Sequence, residues 1–251
     1  MQSGATLNQT ASEKRATSVR RGRFFQSMSV ALLVIALFGF ARTLFLRPLF
    51  HVPPIPWYLY VHGFIMTSWF ALLVTQTSLI AAHRTDLHRR VGIAGAFLAI
   101  AVVGMSLVAV LTYPHRSRSL DFTARSVTVW TDFAFLVTFS TLVAFALSLR
   151  TRPDIHRRLM LLASIAIIGP AVGRIAFVAH DAGFPLPLAL IATNTLVLLG
   201  LPLAMLVHDM RTSRRPHPAT TIAVVWFFAL LVGSIAVSGS DVGHAVVKAL
   251  E

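Results

Sequence analysis

Seven runs of about 20 or more largely apolar residues, parted by short polar or Pro-rich stretches, decide most of what this chain can become. About 20 apolar residues in a helix cross the hydrocarbon of a bilayer. The runs cover 24–46, 57–82, 91–113, 125–149, 158–180, 187–208 and 220–239. Their separators, such as HRTDLHRR and RTRPDIHRR, are too short to be domains. The fold class predicted is therefore all-α, a polytopic transmembrane helical bundle of about seven helices. A basic, disordered cytoplasmic lead is expected over 1–23, the bundle over 24–239 and a short C-terminal tail over 240–251.

Composition agrees. Of 251 residues, 56% are hydrophobic and 12% charged, whereas soluble domains are about a quarter charged. Too little charge is present to cover a water-facing surface, so lipid must be the solvent for most of the chain. The net charge of +13 would point to nucleic acid in a soluble protein. Here it points to anionic lipid headgroups at cytoplasmic loops, with no nucleic-acid partner. Cysteine is absent, which excludes disulfides and thiolate metal sites. Fifteen of the 22 cations fall on one side when the N-terminus is inside, and the positive-inside rule then gives a cytoplasmic N-terminus. The third loop, with Arg116 and Arg118, dissents.

Ionisable groups in hydrocarbon are expensive and face partners or water. At a rise of about 1.5 Å per residue, His62, Asp132, Arg174, Arg42 and Asn194 all fall roughly 6–10 Å from the outer ends of their helices. One buried polar layer is thus predicted, with Asp132 and Arg174 as its ion pair. It reads either as an interhelical clamp or as a pocket in which His62 binds a ligand or carries protons. On the second helix His62, Trp69, Gln76 and His83 recur every seven residues and share a face. That stripe reads as a polar helix–helix seam or as a cofactor wall. Gly169-Pro170 and Gly200-Leu201-Pro202 are expected to kink the fifth and sixth helices.

The hexad Asp86-Leu87-His88-Arg89-Arg90-Val91 returns 68 residues later as Asp154-Ile155-His156-Arg157-Arg158-Leu159. Both copies precede a run on the cytoplasmic side, which suggests two parallel two-helix repeats. The bland reading is that each Asp caps a helix and each Arg pair anchors it. The sharper one makes His88 and His156 a ligand pair inside, with His62 and His180 outside.

Together with Trp69, Gln76 and Arg174, these hexads resemble a group of bacterial multi-spanning membrane proteins over residues 57–180. That group is similar in layout to transmembrane b-type cytochromes. The resemblance implies a bacterial cytoplasmic membrane and a redox role, with haem b or a quinone held by His62, His88, His156, His180, Trp69 and Gln76. The chain departs from the cytochrome pattern because its fourth and sixth helices lack a mid-membrane His. Three readings stay open. They are electron transfer, a proton-coupled carrier working through Asp132, Arg174 and His62, and an accessory subunit with membrane-protein partners. A metal site is not expected and no catalytic residue is singled out; whether the chain is an enzyme stays open, and any enzyme would be a membrane oxidoreductase.

Overall fold

A computed structural model describes residues 22–251, all of whose regular structure is helical. The basic lead lies outside the described residues, except that Gly22 and Arg23 already belong to the first helix. The helices are α1 (Gly22–Phe45), α2 (Trp57–Ala81), α3 (Thr85–Leu111), α4 (Tyr113–Arg116) and α5 (Phe122–Ser148). After these come α6 (Pro153–Ala166), α7 (Gly169–Asp181), α8 (Leu186–Asn194), α9 (Gly200–Ser213), α10 (Pro218–Ser238) and α11 (Asp241–Ala249). Among the described residues six helices are long and apolar enough to cross a membrane, or seven if α6 and α7 form one bent span. The protein is an all-α integral membrane bundle. Helices satisfy every backbone group locally, as lipid demands.

Short turns alternate between two ends. The end holding the 82–84, 149–152 and 214–217 turns is called inner, after the orientation that the cation count predicts. The end holding 46–56, 112–121 and 182–185 is called outer.

Local chemistry sets the boundaries. Asp121 accepts from Ala124 N–H at 3.1 Å and starts α5, as N-cap residues do. Proline stands in the first turn of α6, α8 and α10, where its missing N–H is harmless. α3 and α6 begin earlier than their apolar runs, because the charged hexads are themselves helical. Asp86 and Asp154 do not cap these helices. They sit inside the first turn, where Asp86 pairs with Arg84 at 3.6 Å and Asp154 with Arg157. A carboxylate there is also favoured by the helix dipole.

The core lies around α6, where every residue from Leu161 to Gly169 is buried. That stretch is apolar on every side but for Ser164, and such a segment belongs at the centre of a bundle. α5 flanks it, and Phe139 meets Trp69 of α2 edge-on at 4.9 Å. α1 touches α7 backbone to backbone: a Cβ on Gly39 would fall 2.5 Å from the Ala171 carbonyl oxygen.

Two interruptions match the proline positions. The chain bends by 43° between α6 and α7, just before Gly169-Pro170. A π turn over Thr195–Leu199 joins α8 to α9, just before Gly200-Leu201-Pro202. The C-terminal tail is more ordered than predicted. Its α11 packs Val247 against Val110 and Val129, and a Cβ on Gly243 would fall 1.9 Å from the Val237 carbonyl oxygen.

Candidate functional site

The predicted polar layer divides on inspection. A cavity of about 60 Å³ opens in the outer half, lined by His62 and Met66 of α2, Ser106 of α3, Asp132 and Phe135 of α5, and Pro170 of α7. It borders the α6–α7 bend. A water needs roughly 10–15 Å³ of such space, so the cavity has room for several waters or a very small solute. His62 Nδ1 is buried against it without a hydrogen-bond partner. The Asp132 carboxylate faces it with no hydrogen bond or ion pair among the described residues, although the Arg174 charge acts on it.

The expected Asp132–Arg174 ion pair is therefore not formed. Arg174 donates instead to the Pro170 carbonyl at 2.8 Å and lies over the Phe40 ring at 4.5 Å. The Phe40 ring draws the guanidinium toward α1, and the carbonyl holds it on its own helix. Arg42 is paired with Asp181, and Asn194 donates to the Leu190 carbonyl of its own helix at 2.8 Å. Neither lines the cavity. His180 engages the Phe184 carbonyl through Nδ1 at 2.9 Å and does not meet His62.

The second-helix stripe behaves as a seam. Trp69 Nε1 donates to Ser164 of α6 at 3.1 Å. The Gln76 amide satisfies its surroundings in one orientation, accepting from Gly92 N–H at 3.0 Å and donating to the His88 carbonyl at 3.2 Å and to His88 Nδ1 at 2.5 Å. Ser29 and Thr77 share a hydrogen bond of 2.8 Å, and Gln26 donates to Ser78 at 3.1 Å. His83 lies past the end of α2 in a left-handed conformation, φ 58°, so it leaves the stripe.

The hexad histidines do come together. His88 and His156 stand with ring centroids 6.4 Å apart and planes at 88°. His156 Nδ1 engages the Ala146 carbonyl at 2.8 Å. A carbonyl only accepts, so Nδ1 carries the proton and Nε2 is a bare acceptor. His88 is the reverse: its Nδ1 accepts from Gln76, so its proton sits on Nε2.

These contacts decide how well the residues suit a haem. Drug-sized ligand pockets span about 300–1,000 Å³, several times the cavity at His62. An iron ligand must present a bare nitrogen, and the outward nitrogen of His88 is protonated. Trp69 and Gln76 are already committed to protein partners. The described residues also hold no group of three or more His, Asp or Glu side chains suited to a metal ion.

Sequence reasoning missed the strongest electrostatic feature. Arg158 and Asp209, both nearly inaccessible, pair at 2.6 Å at the inner end. Asp209 also accepts from Thr220 Oγ1 at 2.6 Å and from His217 N–H at 3.2 Å. This cluster ties α6, α9 and α10. Asp209 is the one acid in the 186–213 segment, followed at once by a cationic loop, and that isolation was the available signal.

Backbone carbonyls hold two cations of the outer end: Arg116, one of the two that dissent from the charge rule, and Arg125. Arg116 donates to Ala109 O at 3.1 Å, and Arg125 to Arg118 O at 2.9 Å and Leu120 O at 3.1 Å. Arg125 also pairs with Glu251 at 2.6 Å, fastening the segment beyond α11. Compared with protein-family models, curated proteins and solved structures, the chain finds no match in any of the three.

Proposed function

We propose that this protein is a proton-linked membrane carrier in which Asp132 takes up and releases the transported proton. One observation carries the reading: an unpaired carboxylate and an unsatisfied imidazole nitrogen share a small cavity in the outer half of the bundle. A buried ionised carboxylate without a partner is costly, and binding a proton removes that cost. The protonated acid can then donate a hydrogen bond that the carboxylate cannot. His62 and Ser106 line the same space, where the Ser106 hydroxyl donates to Met66 Sδ at 3.9 Å. Arg174 supports the anion from a distance without quenching it. The bend beside Pro170 supplies a joint, as broken helices do at many carrier sites.

The cavity size favours protons and water over a large solute. The test is a flux measurement on purified protein in liposomes loaded with a pH-sensitive dye, with potassium and valinomycin clamping the potential. Wild-type protein is expected to dissipate an imposed pH gradient faster than protein-free liposomes. Asp132→Asn should return the rate to the protein-free value, and His62→Gln should slow it. Wild-type liposomes no leakier than empty ones, or an Asp132→Asn protein as fast as wild type, would defeat the reading.

Electron transfer through haem b or a quinone is the second reading, supported by the approach of His88 to His156. The proton that the Gln76 contact places on His88 Nε2 weighs against it, whereas His156 presents a bare Nε2. A reduced-minus-oxidised absorption spectrum separates the two, because a Soret band that shifts on reduction would carry the function to electron transfer.

A further inference from the structure

We infer that the Asp132 cavity also takes a small monovalent inorganic anion, and that this anion crosses the membrane together with the proton. The inference rests on the carrier reading, and it starts from two arginines that a proton alone does not explain. Arg116 of α4 reaches back along α3 to donate to the Ala109 carbonyl at 3.1 Å. Arg174 of α7 donates to the Pro170 carbonyl at 2.8 Å. Ala109 and Pro170 both line the cavity, so a guanidinium stands behind its wall on two different helices. Among the described residues neither guanidinium meets a carboxylate. Of the five N–H donors each carries, Arg174 uses one and Arg116 two. Both charges act on His62, and they act on each other.

That field repels a cation and favours an anion. Asp132 is the carboxylate that the two guanidiniums share. Asp181 is held by Arg42, Glu251 by Arg125 and Asp121 at the start of α5, while Asp241 is exposed in the first turn of α11. Tyr113 of α4 faces Arg174, and its ring lies 5.7 Å from the Arg116 guanidinium. α11 turns His244 and Lys248 toward Phe122. α10 carries no ionisable residue, and those of α3 and α6 lie at the inner end. Arg116 is exposed and Arg174 half-buried, so the positive charge steps inward from the outer water, which steers an anion toward the cavity.

Protonation tips the balance. While Asp132 is ionised, its charge offsets part of the field. A proton from water, added to a carboxylate oxygen, leaves both guanidiniums unopposed, and one negative ion in the cavity restores the offset. The neutral acid can donate its O–H to that ion. Ser106 can do the same, because its present acceptor, Met66 Sδ at 3.9 Å, is a weak one. Proton and anion therefore bind cooperatively, each tightening the other by the same factor. Together they are neutral, which lowers the cost of moving them through hydrocarbon. At about 60 Å³ the cavity suits an ion little larger than water and excludes a sugar acid.

The dye-loaded liposomes test this with chloride as the probe. Proton flux in potassium chloride should fall to the protein-free value when gluconate replaces chloride, and nitrate should restore it. Because proton and chloride move together, omitting valinomycin should leave the flux unchanged. Arg116→Gln and Arg174→Gln are each expected to raise the chloride concentration for half-maximal flux by about fivefold or more. Arg118→Gln, in the same loop, should not. Arg116 is exposed, so its variant keeps the test if Arg174→Gln does not accumulate.

Binding can be read without transport, from thermal melts of the full-length protein as chloride replaces gluconate. Chloride is expected to bind about fivefold or more tightly at pH 5 than at pH 8. Asp132→Asn, uncharged at either pH, should bind it equally at both. Equal proton flux in chloride and gluconate would overturn the anion and leave the carrier standing. Flux in none of the salts defeats both. Chloride-dependent flux that ignores both arginine variants would overturn the site.

Discussion

The two ends of the bundle treat charge in opposite ways. At the inner end Arg158 and Asp209 meet at 2.6 Å, and the same carboxylate accepts from Thr220 and His217. In the outer half Asp132 faces a cavity unpaired, beside a His62 Nδ1 that bonds to nothing. Burial alone does not separate these carboxylates; completion of the hydrogen-bond shell does. A satisfied buried pair tolerates its own burial, but removing one partner strands the other. An unsatisfied charge costs stability and persists where chemistry requires it.

That contrast can be broken by mutation. Asp209→Ala leaves the buried Arg158 with only Asp154, whose carboxylate lies at 3.8 Å and whose carbonyl accepts at 2.7 Å; the expected loss is about 3–5 kcal/mol, read as a large drop in the unfolding temperature of the purified protein. If Asp209→Ala unfolds where wild type does, the inner cluster is not the clamp. Trp69→Phe removes only the hydrogen bond to Ser164 across the middle of the bundle. Interhelical bonds in membranes average about 0.6 kcal/mol, so a shift near the limit of a careful thermal melt is expected. Asp132→Asn, which should stop proton flux, is expected to change stability by less than about 0.5 kcal/mol or to raise it, since it removes an unpaired charge. A collapse comparable to Asp209→Ala would make Asp132 structural after all.

The smallest effect concerns His217, outside the spans. Burial, and then the Arg158 charge, hold its imidazole below the ordinary histidine value of 6.5. Its Nδ1 accepts from Ala219 N–H at the start of α10, a role open only to an unprotonated nitrogen. The unfolded chain therefore binds the proton first as pH falls. His217 contributes stability above pH 6.5, and that contribution is lost as pH drops through its own lowered value. Melts of wild type and His217→Asn should differ more at pH 7.5 than at pH 5. A difference independent of pH would remove the proton from the account.

Much of the architecture was legible because lipid imposes a length rule on every span, and the helices lie over the seven apolar runs. The hexad repeat put His88 and His156 at the same end of the bundle, and one of its two readings paired them. What stayed hidden depended on side-chain competition across helices. Asp132 and Arg174 lie at matching depth, but depth says nothing of the Phe40 ring and Pro170 carbonyl that claim the guanidinium. Asn194, for its part, turns back onto its own helix. The Arg158–Asp209 cluster joins residues 51 positions apart, one of them placed in a loop by its charged neighbours. Trp69 and Gln76 were visible as a stripe, yet only Ser164, Gly92 and His88 could say that the stripe was sewn shut.

The contact between Gly39 and Ala171 couples parts of the molecule far apart along the chain. With main chains touching, α1 and α7 have no side-chain cushion in which to slip. That seam stands next to the 43° bend and the Asp132 cavity. Any larger residue at position 39 would have to push the Ala171 main chain aside, so the cheapest way to open the bundle here is one methyl group.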